Sequence, residues 1–153
     1  MSEKKQQQVK MIDISSKKVV LRIAEAYGRL KLRKETIERI KRGDIEKGDP
    51  FLIAKIAAIN AAKTTPLLLP LCHPIPISHV DVECGIEDDE HVYCKVRVKA
   101  EAKTGVEMEA LTATTVALLN IWDVVKMYEK DEEGQYPETQ IELVKVTKKV
   151  KLE

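Results

Sequence analysis

Two side chains of opposite charge, Asp123 and Lys126, are three residues apart in a stretch that we predict to be helical. That spacing places both on one face of the helix, where the ordinary outcome is a surface ion pair with little effect on stability. The same pair can also move protons, but a lysine does so near neutral pH only when burial or other cations lower its pKa. We therefore expect a second cation beside Lys126, and Lys47 is the candidate.

Lys47 precedes one predicted helix and Lys63 lies near its end, and both could hold an anion. Lys47 precedes the capping residue Asp49, beside the positive end of the helix. Its charge is explained there if a phosphate lies between the ammonium group and the helix amides, and the alternative is a solvated loop lysine. Lys63 falls in the last turn of the same helix, where the helix dipole favours a cation without any ligand.

Cys72 and His73 lie in a loop stiffened by prolines, because each residue before a proline is biased towards extended geometry. They would supply only two of the four ligands of a zinc site, and no second pair stands at ligand spacing, so we predict no metal. An imidazole held in such a loop is suited to bind a phosphate oxygen or to relay a proton. Cys72 belongs either to that site or to the core.

Two glutamates open the predicted long helix, and they receive different assignments. Glu107 is three residues after Thr104, the spacing of a capping box, so we expect it to bond the backbone at the start of the helix. Glu109 has no such structural role. Its carboxylate can accept paired hydrogen bonds from the edge of an amino-pyrimidinone ring, as in guanine.

The N-terminal half is predicted to hold a loose tail, one strand and two helices. Residues 1–10 are polar and are expected to form a flexible tail, with residues 11–153 as a single catalytic domain. Apolar alternation predicts a strand over residues 18–33. One helix follows over residues 34–42, with Gly43 as its left-handed stop. A second, capped by Asp49, covers residues 51–63 and ends before Pro66.

The C-terminal half is predicted to form a hairpin, a long helix and a last strand. Strands over residues 80–87 and 91–103 join at an acidic tip, and Cys84 and Cys94 should face each other across them. The helix continues to about residue 130, and residues 140–150 alternate as a final strand. This order predicts an α+β fold, a ferredoxin-like sandwich in which helices pack on one face of an antiparallel sheet.

The composition argues against several classes of function. Charged residues make up 33% of the 153 residues but sum to +1, and aromatic residues make up 4%, so we expect no nucleic-acid partner. We expect no apolar segment long enough to cross a bilayer and no secretory signal, which predicts a cytoplasmic protein without a membrane partner. Three cysteines without Cys-x-x-Cys spacing predict free thiols.

Three segments of the sequence are distinctive when taken together. They are Leu71-Cys72-His73-Pro74, Thr104-Gly105-Val106-Glu107-Met108-Glu109-Ala110-Leu111-Thr112 and Trp122-Asp123-Val124-Val125-Lys126. As a set they resemble the MoaC family, the cyclic pyranopterin monophosphate synthases of molybdenum cofactor biosynthesis, and the resemblance extends from about Met11 to Val144. The middle segment is long and unusual in composition, so the set is far more specific than Cys-His-Pro or Asp-x-x-Lys alone.

The resemblance implies a reaction and a set of site residues. Members of the family are lyases that convert 3',8-cyclo-7,8-dihydroguanosine 5'-triphosphate into cyclic pyranopterin monophosphate and release pyrophosphate, without a metal or redox cofactor. By motif match, the catalytic residues would be Asp123, Lys126 and Lys47. The substrate-binding residues that the resemblance implies are Arg22, Lys63, Leu71, Cys72, His73, Glu107, Met108, Glu109 and Lys145.

The match fails near the C-terminus of the chain. Family members often end in a Gly-Gly-Lys segment, whereas this chain has Lys145-Val146-Thr147-Lys148-Lys149-Val150-Lys151. The late lysine that contacts phosphate in the family would then be Lys145 or Lys148, and we retain Lys145 as the candidate.

The length of the predicted helix bears on how a site could be assembled. A straight helix separates Glu107 and Asp123, sixteen residues apart, by roughly 24 Å at a rise of about 1.5 Å per residue. One small substrate cannot span that distance, so we predict a site at an antiparallel subunit interface. The resemblance implies a hexamer built as a trimer of dimers. The rival hypothesis is a non-catalytic nucleotide-binding or regulatory module, because a fold does not fix a function.

Overall fold

The computed structural model of the chain describes residues 8–153, so the predicted tail lies mostly outside the described residues. In chain order the elements are strand β1 (Val20–Lys31), helices α1 (Lys34–Arg42) and α2 (Pro50–Leu68), strands β2 (Ile77–Asp88) and β3 (His91–Ala102), helix α3 (Glu107–Glu129) and strand β4 (Gln140–Leu152). The four strands form one antiparallel sheet in the order β2-β3-β1-β4. The predicted α+β arrangement is confirmed and is consistent with a ferredoxin-like fold.

One face of the sheet is apolar and is covered by α3, with α2 packed beside it. Every second residue of β3 is buried on this face, and these residues are Val92, Cys94, Val96, Val98, Ala100 and Ala102. Gly28 of β1 allows the closest approach of α3. A Cβ atom at that position would lie 2.7 Å from Leu118 Cδ1 and 2.8 Å from Thr114 Cγ2, so any side chain there would force the helix away from the sheet.

The end of α1 and the start of α2 follow the predicted rules. Helix α1 has the predicted bounds and ends at Gly43, whose φ of 68° is the left-handed conformation that glycine adopts without steric cost. Asp49 caps α2, because its carboxylate accepts hydrogen bonds from the backbone N–H groups of Phe51 and Leu52.

The predicted end of α2 before Pro66 is wrong, because the helix continues to Leu68. A proline removes one backbone hydrogen bond, and its cost is small within the last turn of a helix, where few further bonds depend on it. The hydroxyl groups of Thr64 and Thr65 donate to carbonyl groups of the preceding turn, at 3.0 Å to Asn60 and 2.9 Å to Ala61. Lys63 therefore lies five residues before the end of α2 and not in its last turn.

The predicted capping box at the start of α3 is also wrong. The helix begins at Glu107 with Val106 at the capping position, and no side chain bonds the cap. The Glu107 carboxylate instead pairs with Lys149 of β4, with 2.7 Å between Oε1 and Nζ. A charge-assisted bond to an ammonium is stronger than a bond to a backbone amide, which explains the preference.

The hairpin prediction is confirmed, since β2 and β3 pair directly and Cys84 is the register partner of Cys94. Cys72, Cys84 and Cys94 are all free thiols. The expectation that no segment could span a bilayer was wrong as stated, because α2 and α3 are each long and apolar enough by length and composition. In this fold both serve as packed helices of the α+β domain, and half of the α3 residues needed for such a span are buried against its neighbours.

Candidate active site

Asp123 lies on the C-terminal half of α3 and contacts two lysines. Lys126 Nζ is 2.9 Å from Asp123 Oδ1, and Lys47 Nζ is 3.9 Å from Oδ2. Lys47 comes from the loop before α2 and also donates to the Asp123 carbonyl oxygen at 3.3 Å. The structure thus brings together the three residues predicted to be catalytic, and Lys47 is the second cation that was expected near Lys126.

The charges of this cluster do not produce the expected proton shuttle in the single chain. The hydrogen bond and charge of Asp123 raise the pKa of Lys126 above its ordinary value. The hydrogen bond and charge of Lys126, with the charge of Lys47, hold the pKa of Asp123 below its ordinary value. Because all three side chains are at least 40% exposed, a lowered pKa at Lys126 requires additional positive charge or burial from outside the chain.

The other end of α3 faces a largely apolar cavity of about 820 Å³. The loop after α2 contributes Leu71, Cys72 and His73 to its wall, and the start of α3 contributes Glu107 and Met108. These five residues were all predicted to bind substrate. The cavity is therefore the place where the second group of predicted site residues meets, far along α3 from Asp123.

A segment before β1 forms another wall of the cavity and holds the imidazole of His73. The Nε2 atom of His73 is 2.6 Å from the carbonyl oxygen of Ile12. A carbonyl oxygen only accepts, so Nε2 carries the proton and Nδ1 remains for another partner. Lys103 Nζ donates to the Ser15 carbonyl oxygen at 3.2 Å and fixes the same segment. Within residues 8–153, no three His, Cys, Asp or Glu side chains are grouped as ligands for a metal ion.

Glu109 lies behind Cys72 and is 1% exposed. Its Oε2 atom accepts a weak hydrogen bond from the Cys72 thiol at 3.8 Å, and its Oε1 atom has no hydrogen-bond partner. Burial raises the pKa of Glu109 above its ordinary value, which favours the neutral acid. A buried polar atom without a partner is costly, so the site is suited to a ligand that supplies the missing hydrogen bond.

A cationic group stands on the other side of Glu107. Arg22 is 6% exposed and donates through Nη2 to the Lys103 carbonyl oxygen at 3.2 Å. Burial raises the pKa of Glu107, but the hydrogen bond with Lys149, a backbone hydrogen bond and the charges of Lys149 and Arg22 together lower it below its ordinary value. Arg22, Glu107 and Lys149 therefore form one charged cluster at the start of α3.

Lys149 was not among the predicted site residues, and the register of β4 explains why. Lys149 is opposite Ala24, on the helix-covered face of the sheet, whereas Lys145 is opposite Tyr27 and Lys148 opposite Glu25, on the other face. Without the register shift between Glu25 and Ala26, the alternation along β4 would place Lys148, and not Lys149, on the helix-covered face. No sequence pattern reveals that bulge, and the resemblance left Lys145 or Lys148 as the candidate for the late lysine.

Lys63 is exposed in the C-terminal half of α2, and no ion pair involves it within residues 8–153. The predicted site residues thus fall into two groups at opposite ends of one unbroken helix. Asp123, Lys126 and Lys47 form one group. The other group comprises Arg22, Leu71, Cys72, His73, Glu107, Met108 and Glu109. Lys63 and Lys145 join neither group.

Comparison with known proteins identifies the family of the chain. The MoaC family model matches residues 11–151. A protein of Sulfurisphaera tokodaii named probable cyclic pyranopterin monophosphate synthase is 60% identical over 144 residues, 94% of this chain and 95% of that protein. A protein of Pyrococcus horikoshii with the same name is 59% identical over 144 residues, 94% of this chain and 89% of that protein. A protein of Methanothermobacter thermautotrophicus, 52% identical over 145 residues, 95% of this chain and 91% of that protein, is named probable cyclic pyranopterin monophosphate synthase accessory protein. The chain therefore belongs to the MoaC family.

Proposed function

We propose that this chain is a cyclic pyranopterin monophosphate synthase, a cytoplasmic lyase. It converts 3',8-cyclo-7,8-dihydroguanosine 5'-triphosphate into cyclic pyranopterin monophosphate and pyrophosphate without a metal or redox cofactor. The names of relatives that are 59% and 60% identical over nearly the whole chain support the reaction. The observation that carries the proposal is the grouping of Lys47, Asp123 and Lys126 at one end of α3, with a cavity lined by other predicted site residues at the opposite end.

The two clusters are chemically complementary for this substrate. Burial raises the pKa of Glu109, and the neutral form of this acid can both donate hydrogen bonds to the amino-pyrimidinone edge of the ring and accept them from it. Lys47, Arg22 and Lys149 supply the positive charge that a triphosphate requires. Asp123 and Lys126 are the pair that exchanges protons with the substrate, and triphosphate binding or burial at an interface sets the pKa of Lys126.

Assembly of copies brings the two clusters to one site. Helix α2 exposes an apolar surface formed by Leu52, Ile53, Ile56, Leu67 and Leu68, which are 40–83% exposed. Exposed apolar side chains grouped on one helix mark an interaction surface. A two-fold axis across this surface pairs the Asp123 end of one copy with the Cys72 end of its partner, which gives two shared sites per dimer. A hexamer made of three such dimers is the assembly that we propose.

The test uses two variants that are inactive for different reasons. Lys126→Ala removes the proposed proton-transfer group, and turnover should fall by about 10³-fold while substrate binding remains measurable. His73→Ala damages the cavity at the other end of α3. When the two variants are unfolded and refolded together in equal amounts, half of the dimers are mixed, and each mixed dimer has one site with both wild-type halves. Activity should then recover to about a quarter of the wild-type value.

The matched control is Lys126→Ala refolded with Asp123→Ala, two variants at the same end of α3. Every site in that mixture carries one damaged Asp123 end, so activity should stay at the level of the single variants. If the first mixture also shows no recovery although size measurements demonstrate mixed dimers, a site shared between copies is excluded. The proposed reaction itself is tested separately by wild-type turnover.

A non-catalytic accessory role is the second candidate, because the relative from Methanothermobacter thermautotrophicus is named an accessory protein. The two functions separate with the purified chain and the cyclised triphosphate alone. Formation of the pterin product that Lys126→Ala abolishes supports the synthase. Tight substrate binding without any product, at concentrations where the chain is oligomeric, supports the accessory role.

A further inference from the structure

We propose that Cys84 and Cys94 form a reversible dithiol–disulfide site whose oxidant is a low-molecular-weight disulfide such as oxidised glutathione. The site lies in the β2–β3 hairpin, away from Asp123 and from the Cys72 cavity. The inference goes beyond the proposed function and does not depend on it, because it rests on the hairpin alone.

The register of the hairpin brings the two cysteines to disulfide distance. Cys84 and Cys94 are direct partners in the antiparallel pairing of β2 and β3. Direct partners in antiparallel strands have Cα atoms about 4.5 to 5.5 Å apart, within the range of about 4.4 to 6.8 Å that disulfides require. The neighbouring Cys84 is also the largest cause of the raised pKa of Cys94, which agrees with the placement of the two thiols side by side in the register.

The two thiols differ in access, which sets the order of the chemistry. Cys94 is 0% exposed, whereas Cys84 is half-buried on β2, an edge strand of the sheet. The Cys84 thiolate attacks one sulfur of oxidised glutathione, forms a mixed disulfide and releases one glutathione thiolate. The Cys94 sulfur, after losing its proton, then attacks Cys84 Sγ and releases the second glutathione. In total, one protein dithiol and one oxidised glutathione give one protein disulfide and two reduced glutathione molecules.

Cys72 provides an internal comparison, because it lacks a neighbouring thiol. Burial and the charge of Glu109 raise its pKa, which lowers the thiolate fraction at neutral pH. Cys94 also has a raised pKa, but its attack is intramolecular and proximity offsets the small thiolate fraction. Only the Cys84 and Cys94 pair is therefore arranged to complete both exchange steps.

A disulfide at this place joins an edge strand to a central strand of the sheet. The cross-link restricts the unfolded chain and should raise the melting temperature by roughly 4 to 8 °C. Neither cysteine lines the Cys72 cavity or belongs to the Asp123 ion pairs, so turnover should not change on oxidation.

The experiment starts with the full chain in its reduced form. The chain is incubated with excess oxidised glutathione, its remaining thiols are alkylated in denaturant, and the linkage is mapped by mass spectrometry of peptides. We expect an intramolecular disulfide between Cys84 and Cys94, with Cys72 alkylated. The melting temperature should rise on oxidation and return to its initial value after reduction.

Three serine variants distinguish this site from general thiol modification. Cys94→Ser should retain glutathione on Cys84 as a stable mixed disulfide, and Cys84→Ser should protect Cys94 from modification through burial. Cys72→Ser should form the same disulfide as the wild type. The inference is wrong if the wild-type chain keeps all three cysteines alkylatable after incubation a few degrees below its melting temperature. It is equally wrong if the wild type stops at glutathione on Cys84.

Discussion

Helix α3 carries a buried glutamate near each end, and the two differ in how their oxygens are satisfied. Glu109 and Glu129 are each 1% exposed. Both oxygens of Glu129 are within 3.1 Å of the backbone nitrogen of Arg33, and they also accept from the hydroxyl groups of Thr36 and Thr139. Glu109 receives only the Cys72 thiol, and one of its oxygens has no partner.

This difference separates a structural carboxylate from a functional one. Glu129 joins the start of α1 and the segment before β4 to the end of α3, and its charge lies beside the positive end of α1, where it is favoured. Glu109 is buried at a cost that the fold does not recover, which is expected of a group held ready for a ligand. Burial alone would have classed the two residues together. The hydrogen-bond partners are what distinguish them.

The largest expected effect is a loss of stability when Glu129, the structural carboxylate, is removed. Glu129→Ala leaves the Arg33 backbone N–H and two threonine hydroxyl groups without an acceptor, so the free energy of unfolding should fall by about 3 kcal/mol. Urea unfolding monitored by circular dichroism measures the change. Glu129→Gln keeps one acceptor oxygen and should lose about half as much, whereas equal losses would show that the charge and not the hydrogen bonds matters.

Glu109 should show the reverse pattern, with a loss of activity and little loss of stability. Glu109→Ala is expected to lower kcat/KM by about 100-fold, because the ring of the substrate loses a buried hydrogen-bonding partner. Glu109→Gln, which resembles the neutral acid, should stay within about tenfold of the wild type. If glutamine is as damaging as alanine, the ionised carboxylate is the working form, and the assignment of a neutral acid fails.

Lys149 and Lys148 sharpen the comparison at the start of α3, because they are sequence neighbours on opposite faces of β4. Lys149→Ala removes a cation of the Glu107 cluster and should raise KM about tenfold with little change in kcat. Lys148→Ala is the matched control and should change KM less than about twofold. Steady-state kinetics with the triphosphate substrate measure both KM values. Equal effects of the two variants would contradict the assignment of Lys149 and Lys148 to opposite faces of β4.

The smallest effect concerns pH and again involves Glu109. Burial raises its pKa above the ordinary value of 4.5, so the folded chain holds a proton there that the unfolded chain has released. The associated stability is fully present below pH 4.5 and is lost as pH rises through the folded pKa. The melting temperature of the wild type should therefore fall relative to that of Glu109→Gln as pH rises from about 4 to 7. Parallel curves would contradict the raised pKa.

Most of the fold could be predicted because local rules agreed with tertiary packing. Gly43 and Asp49 set helix boundaries through backbone chemistry that does not depend on the rest of the chain. The capping box of α3 and the end of α2 were predicted wrongly, because a distant group intervenes at the first and a local rule has little effect at the second. Lys149 draws the Glu107 carboxylate away from the cap. Pro66 stands too near the end of α2 to stop it.

The grouping of site residues was less accessible to sequence reasoning. Asp123 and Lys126 are neighbours by helical spacing, and Lys47 was anticipated from the charge that a working lysine needs. The hydrogen bond between Cys72 and Glu109 joins residues 37 positions apart, and only the packed structure reveals it. The role of Lys149 depends on a bulge in β4, which has no signature in the residues themselves.

Strand β4 forms an open edge of the sheet, and its lysines at positions 145, 148, 149 and 151 have a consequence for how the protein behaves at high concentration. An unpaired strand edge invites another chain to add to it, and a row of like charges repels such an addition. The strand that contributes a cation to the Glu107 cluster thus also keeps neighbouring molecules from stacking edge to edge. Substitutions that neutralise several of these lysines at once should promote fibrous aggregation before they unfold the domain.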